Sequence, residues 1–275
     1  MTVTNAVETT MIWGTVSGAS MVGMVISLLL SVVLPIFLGI FIYKKTKAWV
    51  PAFFIGCGIF VGFAMILEQI CHAIVLTVTG SAIRDNIWLY AIYGGLAAAL
   101  FEECGRWIAM KFCLKKHLTR ENALMYGAGH GGIEAFLILG MSSMSNLLTA
   151  AMINGGLMEK TMTALEPAQQ EVTYHQLSVL WTTPAYQFYL APVERISALA
   201  LQIALSILVY SAVKTGRKLH LATAFGLHFA VDFLTVVCAS TIPTWALELG
   251  LLLVVAVICV VVYQLVYVQM AEKKA

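Results

Sequence analysis

The chain has 275 residues, of which 60% are hydrophobic and only 11% are Asp, Glu, Lys or Arg, against about 25% charged in soluble domains. A mean hydropathy of +0.89 and repeated apolar runs long enough to cross a bilayer, about 20 residues each, exclude an ordinary water-soluble fold. The net charge of +2 is too small to argue for nucleic acid as a partner, so the lipid bilayer is the partner that the composition implies. The expected class is all-α, a single-domain polytopic helix bundle over residues 1–275.

Glu8 and the absence of Lys or Arg between Met1 and Thr10 lack the basic start of a cleaved signal peptide, so the first apolar run is expected to remain as a span. Seven spans are predicted near 18–43, 48–79, 87–114, 121–141, 186–213, 220–241 and 243–269. Lys44, Lys45 and Lys47 follow the first, Lys115, Lys116 and Arg120 the third, Lys214, Arg217 and Lys218 the fifth, and Lys273 and Lys274 the last. The intervening loops hold only Arg84 and Lys160. Because basic residues accumulate on the cytoplasmic side, this alternation predicts an outer N-terminus, a cytoplasmic C-terminus and a plasma-membrane location.

Residues 142–185 read as an outer loop with an interfacial helix ending near Trp181, either a headgroup anchor or a lid. Ser142, Ser143, Ser145, Asn146 and Asn154 leave room for an eighth, short or re-entrant segment. The six cysteines all lie in apolar runs without a C-x-x-C spacing and read as small buried hydrophobes.

Ionisable side chains at bilayer depth cost about 2.5 to 3.5 kcal/mol each on insertion scales, which makes them functional candidates. The third span carries Glu102, Glu103 and Arg106, the fourth His130 and Glu134, and the sixth His228 and Asp232. Spacings of three and four put each set on one helix face. Counted from the cytoplasmic ends at 1.5 Å per residue, His130 and His228 lie about 15 Å deep and the glutamates roughly 18 to 20 Å deep. Convergence on one wet pocket is therefore predicted. Glu68, His72, Glu194 and Arg195 fall nearer the outer half, as supporting or gating groups. Gly127, Gly129, Gly131 and Gly132 surround His130 and serve either helix packing or close approach of a ligand.

Paired glutamates with a following arginine, Tyr126 four residues before His130, and His228 four before Asp232 resemble the three motifs of the CAAX-protease and bacteriocin-processing (CPBP) and PrsW membrane proteases. The run His130-Gly131-Gly132-Ile133-Glu134 and the overall length more closely resemble the YhfC family of intramembrane metalloproteases. The resemblance implies an intramembrane endopeptidase acting on a peptide or membrane-protein substrate. It makes Glu102 or Glu103 the general base, assisted by His130, with Arg106 holding the glutamate pair and His228 and Asp232 orienting water or meeting the oxyanion. Tyr126, Glu134, Glu194 and Arg195 fall to substrate binding or support. A metal version would place zinc on His130, His228 and Glu134 or another carboxylate, although H-E-x-x-H is absent. A proton- or ion-coupled carrier, since Asp, Glu and His chains also act as relays, and a non-catalytic scaffold are the other readings of the same residues.

Overall fold

A computed structural model describes residues 11–272; Glu8, Lys273 and Lys274 lie outside them. Among the described residues there is no strand, and seven helices are long and apolar enough to cross a membrane: α1 (Gly18–Thr46), α2 (Pro51–Thr79), α3 (Ile87–Cys113), α4 (Arg120–Asn154), α7 (Ala185–Thr215), α8 (Lys218–Ala239) and α9 (Thr244–Val268). Two shorter helices, α5 (Leu157–Met162) and α6 (Pro167–Thr182), lie between α4 and α7. Local chemistry sets the starts. Side chains of Ser17, Asn86 and Thr119 accept from free backbone N–H groups at the heads of α1, α3 and α4, and Pro51 opens α2 at a position where no N–H is needed.

The hub is α7. In its most apolar window 72% of residues are buried, and no other span exceeds 33%. It packs against α1, α4, α8 and α9, while α2 lies on α4 and α3 on α8. Without a hydrophobic drive between helices in lipid, close approach through small residues supplies the packing. The glycines of α4 show this on every side. A Cβ on Gly129 would sit 1.9 Å from the Phe53 carbonyl of α2, one on Gly127 2.7 Å from Ile203 Cα of α7, and one on Gly132 2.6 Å from Pro35 of α1. From α2, Gly56 returns the approach, its Cβ position falling 2.2 Å from the Tyr126 carbonyl. The glycine run is thus a packing device that lets α4 sit in the middle of three neighbours. Above that contact both helices pass through π-helical turns, Val61–Glu68 in α2 and Phe136–Gly140 in α4.

The structure departs from the sequence reading at the cysteines, none of which is buried and of which Cys104 and Cys113 are exposed on the apolar outer surface of the spans, and in one region of the chain. Residues 141–154 continue the fourth span as helix, so the outer loop begins later than Met141 and no separate eighth segment interrupts it. Ser142, which read as a loop residue, satisfies itself within the helix, its Oγ donating to the Ile138 carbonyl at 2.6 Å. Asn154, at the end, clamps the chain before α1 by accepting from Val16 N at 2.9 Å and donating to Val16 O at 3.0 Å. Leu177, Leu180 and Trp181 of α6 pack with Val16, just before α1, with Met24 of α1, and with Ala150 and Ile153 at the end of α4. Trp181 and Tyr174 of α6 form an aromatic triad with Trp13, with ring centroids 5.6 to 5.8 Å apart. Trp181 packs onto the protein itself.

Candidate functional site

Three spans bring the predicted residues to one place. On α3, Glu102, Glu103 and Arg106 are all buried, and the i, i+3 and i, i+4 spacings let the arginine face both acids: Nη1 lies 3.3 Å from Glu103 Oε1 and Nη2 3.8 Å from Glu102 Oε2. From α4, His130 Nε2 donates to Glu102 Oε2 at 2.9 Å, and Tyr126 donates its hydroxyl to Nδ1 at 3.4 Å. From α8, His228 Nδ1 donates to Glu103 Oε1 at 2.8 Å. Its other nitrogen faces Glu102 Oε1 at 4.0 Å and Asp232 Oδ2 at 3.6 Å, beyond hydrogen-bond length.

A cavity of about 390 Å³ opens beside this cluster. Its wall includes Glu68, Glu102, Glu134, Arg195, His228 and Asp232. The cluster therefore has two layers. Glu102 and His228 reach the cavity, whereas Glu103, Arg106, Tyr126 and His130 stand behind it, each at 2% exposure or less. Buried charge in such a layer must be paired to be tolerable. Even so, Glu103 Oε2 and Arg106 Nε have no hydrogen-bond partner.

The groups placed in the outer half form two subsidiary networks. Arg195 donates to Glu134 Oε1 at 3.1 Å and grips its neighbour Glu194 through two nitrogens, so the pair is an ion-pair relay onto Glu134. Tyr93 donates to His72 Nδ1 at 2.7 Å, and His72 Nε2 lies 3.2 Å from Glu68 Oε1 at the cavity wall.

The residue missed by sequence reading is Gln202 of α7. Its Oε1 accepts from Arg106 Nη2, and its Nε2 donates to Glu102 Oε2 at 2.8 Å and to Glu134 Oε2 at 2.7 Å. An amide in the middle of a 31-residue apolar helix is itself a polar residue at depth, a signal that charge alone does not carry.

Two imidazoles and nearby carboxylates have the donor chemistry that zinc takes. The side chains are not arranged as a ligand set, however. Among the described residues no three His, Cys, Asp or Glu side chains are grouped to hold a metal ion. His130 Nε2 is engaged by Glu102, and Glu134 turns both oxygens to Gln202 and Arg195. The candidate set of His130, Glu134 and His228 therefore does not fit a metal as it stands.

Fold and cluster together define a seven-span helical membrane protein with buried Glu, His and Arg side chains beside an intramembrane cavity. The chain belongs to the YhfC family: the family described as YhfC intramembrane metalloprotease matches residues 30–261, which include every member of the cluster. It is 41% identical over 222 residues to the "Uncharacterized membrane protein YhfC" of Bacillus subtilis (strain 168), covering 78% of this chain and 83% of that one. No solved structure matches.

Proposed function

We propose that the chain is an intramembrane hydrolase that cleaves a peptide bond of a membrane-associated substrate, with Glu102 as the general base. The observation that carries this reading is the state of two atoms. Glu102 Oε1 and His228 Nε2 make no hydrogen bond, although every other polar atom of those two side chains is bonded within the protein, and both residues line the cavity. Glu103 Oε2 and Arg106 Nε are unmet as well but belong to enclosed side chains, whereas Glu102 and His228 border open space, where an unmet polar group can be met by water and not at a cost of about 1 to 3 kcal/mol. Here the uncommitted atoms belong to residues lining a cavity of about 390 Å³, large enough to admit water. That favours hydrolysis over a scaffold.

The chemistry follows from which atoms the bonds leave uncommitted. With Nδ1 given to Glu103, His228 turns Nε2 toward Glu102 Oε1 and Asp232, so a cavity water donates one hydrogen to Glu102 Oε1 and is oriented by the imidazole beside it. As the water oxygen bonds to the scissile carbonyl carbon, Glu102 takes its proton. Arg195, the arginine on the cavity wall, meets the charge developing on the carbonyl oxygen. Collapse breaks the C–N bond while Glu102 passes the proton to the leaving amine. Arg106, Glu103 and His130 keep Glu102 and His228 in place, and Tyr126 backs His130.

The basic ends Lys44, Lys45 and Lys47, Lys115 and Lys116, and Lys214, Arg217 and Lys218 lie at one end of the bundle by the alternation of the helices. In this reading that end faces the cytoplasm of a plasma membrane. The function is tested with purified protein in liposomes against a panel of fluorogenic single-span peptides. Wild type should release product and a folded Glu102→Gln variant should not. Equal turnover by both would overturn the assignment.

A further inference from the structure

The fifth span brings one uncharged side chain into the middle of three ionisable ones. Gln202 is 3% exposed and meets Arg106 through its carbonyl oxygen and Glu102 and Glu134 through its two amide hydrogens. Both ends of its amide are thereby used. Among neutral side chains only Asn and Gln offer an acceptor on one side and two hydrogens on the other, and Asn is a methylene shorter. The neighbouring backbone is cut away to admit it: a Cβ on Gly131 would lie 2.9 Å from Gln202 Cβ and 2.8 Å from Leu199 Cδ1. Part of the glycine run beside His130 thus has a specific beneficiary.

Glu102 shows what the amide accomplishes. Its Oε2 accepts from Gln202 Nε2 at 2.8 Å and from His130 Nε2 at 2.9 Å, two donors arriving from two different helices. Its Oε1 accepts from none. A carboxylate held by a single donor can rotate about its last torsion, whose wells are broad, and exchange the roles of its oxygens. Two donors fixed on α4 and α7 remove that freedom. We infer that Gln202 is a positioning residue that pins Oε2 of Glu102 and so commits Oε1 to the cavity as the working oxygen. The inference rests on the proposed hydrolysis for its purpose, not for its geometry. Through the same amide the Glu134, Arg195 and Glu194 relay is joined to Glu102, so a change at the cavity wall reaches the base through a single side chain.

Two variants separate positioning from simple filling. Gln202→Met keeps the length and removes all three bonds, whereas Gln202→Glu keeps an acceptor for Arg106 and removes the donation to Glu102. The probe is the carboxylate stretching band of Glu102, identified in infrared spectra of the protein in lipid by subtraction of Glu102→Gln; it needs no substrate. The expected result is a shifted and broadened band in both variants and, on the fluorogenic panel, about a 100-fold fall in kcat with KM within twofold. A Glu102 band unchanged in Gln202→Glu would overturn the inference, and so would unchanged kcat in a folded variant of either kind. If wild type shows the shift on substitution but hydrolyses no peptide, the positioning stands and the hydrolase reading falls.

Discussion

Glu102 of the third span and His130 of the fourth stand 28 positions apart in sequence and 2.9 Å apart in space, carboxylate to imidazole, with the histidine fully enclosed. The imidazole lies behind the acid and not beside it in the cavity. In the proposed hydrolysis the two would divide the work: one supplies the reacting oxygen and the other fixes where it points.

That division sets an order on the single-site variants. General base catalysis is worth about 100- to 10,000-fold, so Glu102→Gln should lose activity by at least that factor. His130→Ala should lose less, roughly 10- to 100-fold, because the base remains and only one of its holders is removed. Initial rates on the same peptide in liposomes check this. A His130→Ala loss larger than that of Glu102→Gln would reverse the roles.

Arg106 is completely buried and faces Glu102, Glu103 and Gln202. Removing one partner of such a group leaves buried charge without compensation, at a cost of about 3 to 5 kcal/mol. Arg106→Met should therefore lower the unfolding midpoint in detergent sharply. Arg195→Met, at a partly exposed ion pair on the cavity wall, should cost roughly 1 kcal/mol while still reducing turnover. Equal destabilisation by the two substitutions would contradict the two-layer arrangement.

Gly129 approaches the Phe53 carbonyl so closely that a Cβ would fall at 1.9 Å. Backbone cannot yield as a flexible side chain does, so Gly129→Ala should cost about 1 to 3 kcal/mol by overpacking. Gly58 has open space at its Cβ position, and Gly58→Ala should be nearly neutral. Denaturant titration of both in the same detergent gives the comparison.

His130 and Glu134 of the candidate metal set are committed to Glu102, Gln202 and Arg195, which predicts that 1,10-phenanthroline and EDTA leave hydrolysis within twofold of untreated protein. Loss of activity on chelation with recovery on adding zinc would mean that His130, His228 and a carboxylate rearrange into a ligand set. Metal content of the purified protein by mass spectrometry reads the same question without a substrate.

Much of the architecture was legible because lipid imposes simple rules. Apolar runs have to be helices, and the ends of the predicted spans fall close to those observed, as with 87–114 against Ile87–Cys113. The shared depth of Glu102, Glu103, His130 and His228 was likewise countable along regular helices. Residues 141–154 were misread because serine and asparagine suit loops and helix ends alike; only the tertiary clamp of Asn154 on Val16 shows which. Gln202 escaped because it is uncharged and has no motif partner nearby in sequence. Which glutamate faces water could not be read from two adjacent letters, since that depends on how α3 is turned against α4, α7 and α8.

The backbone-on-backbone contact between α2 and α4, at Gly56 and Gly129, leaves no slack on that side of the bundle. Interiors joined this tightly switch between discrete arrangements and do not stretch. In the proposed hydrolase, widening to admit a peptide is therefore expected beyond the π-helical turns at Val61–Glu68 and Phe136–Gly140. The glycine seam would act as the fixed hinge line about which the rest of the molecule breathes.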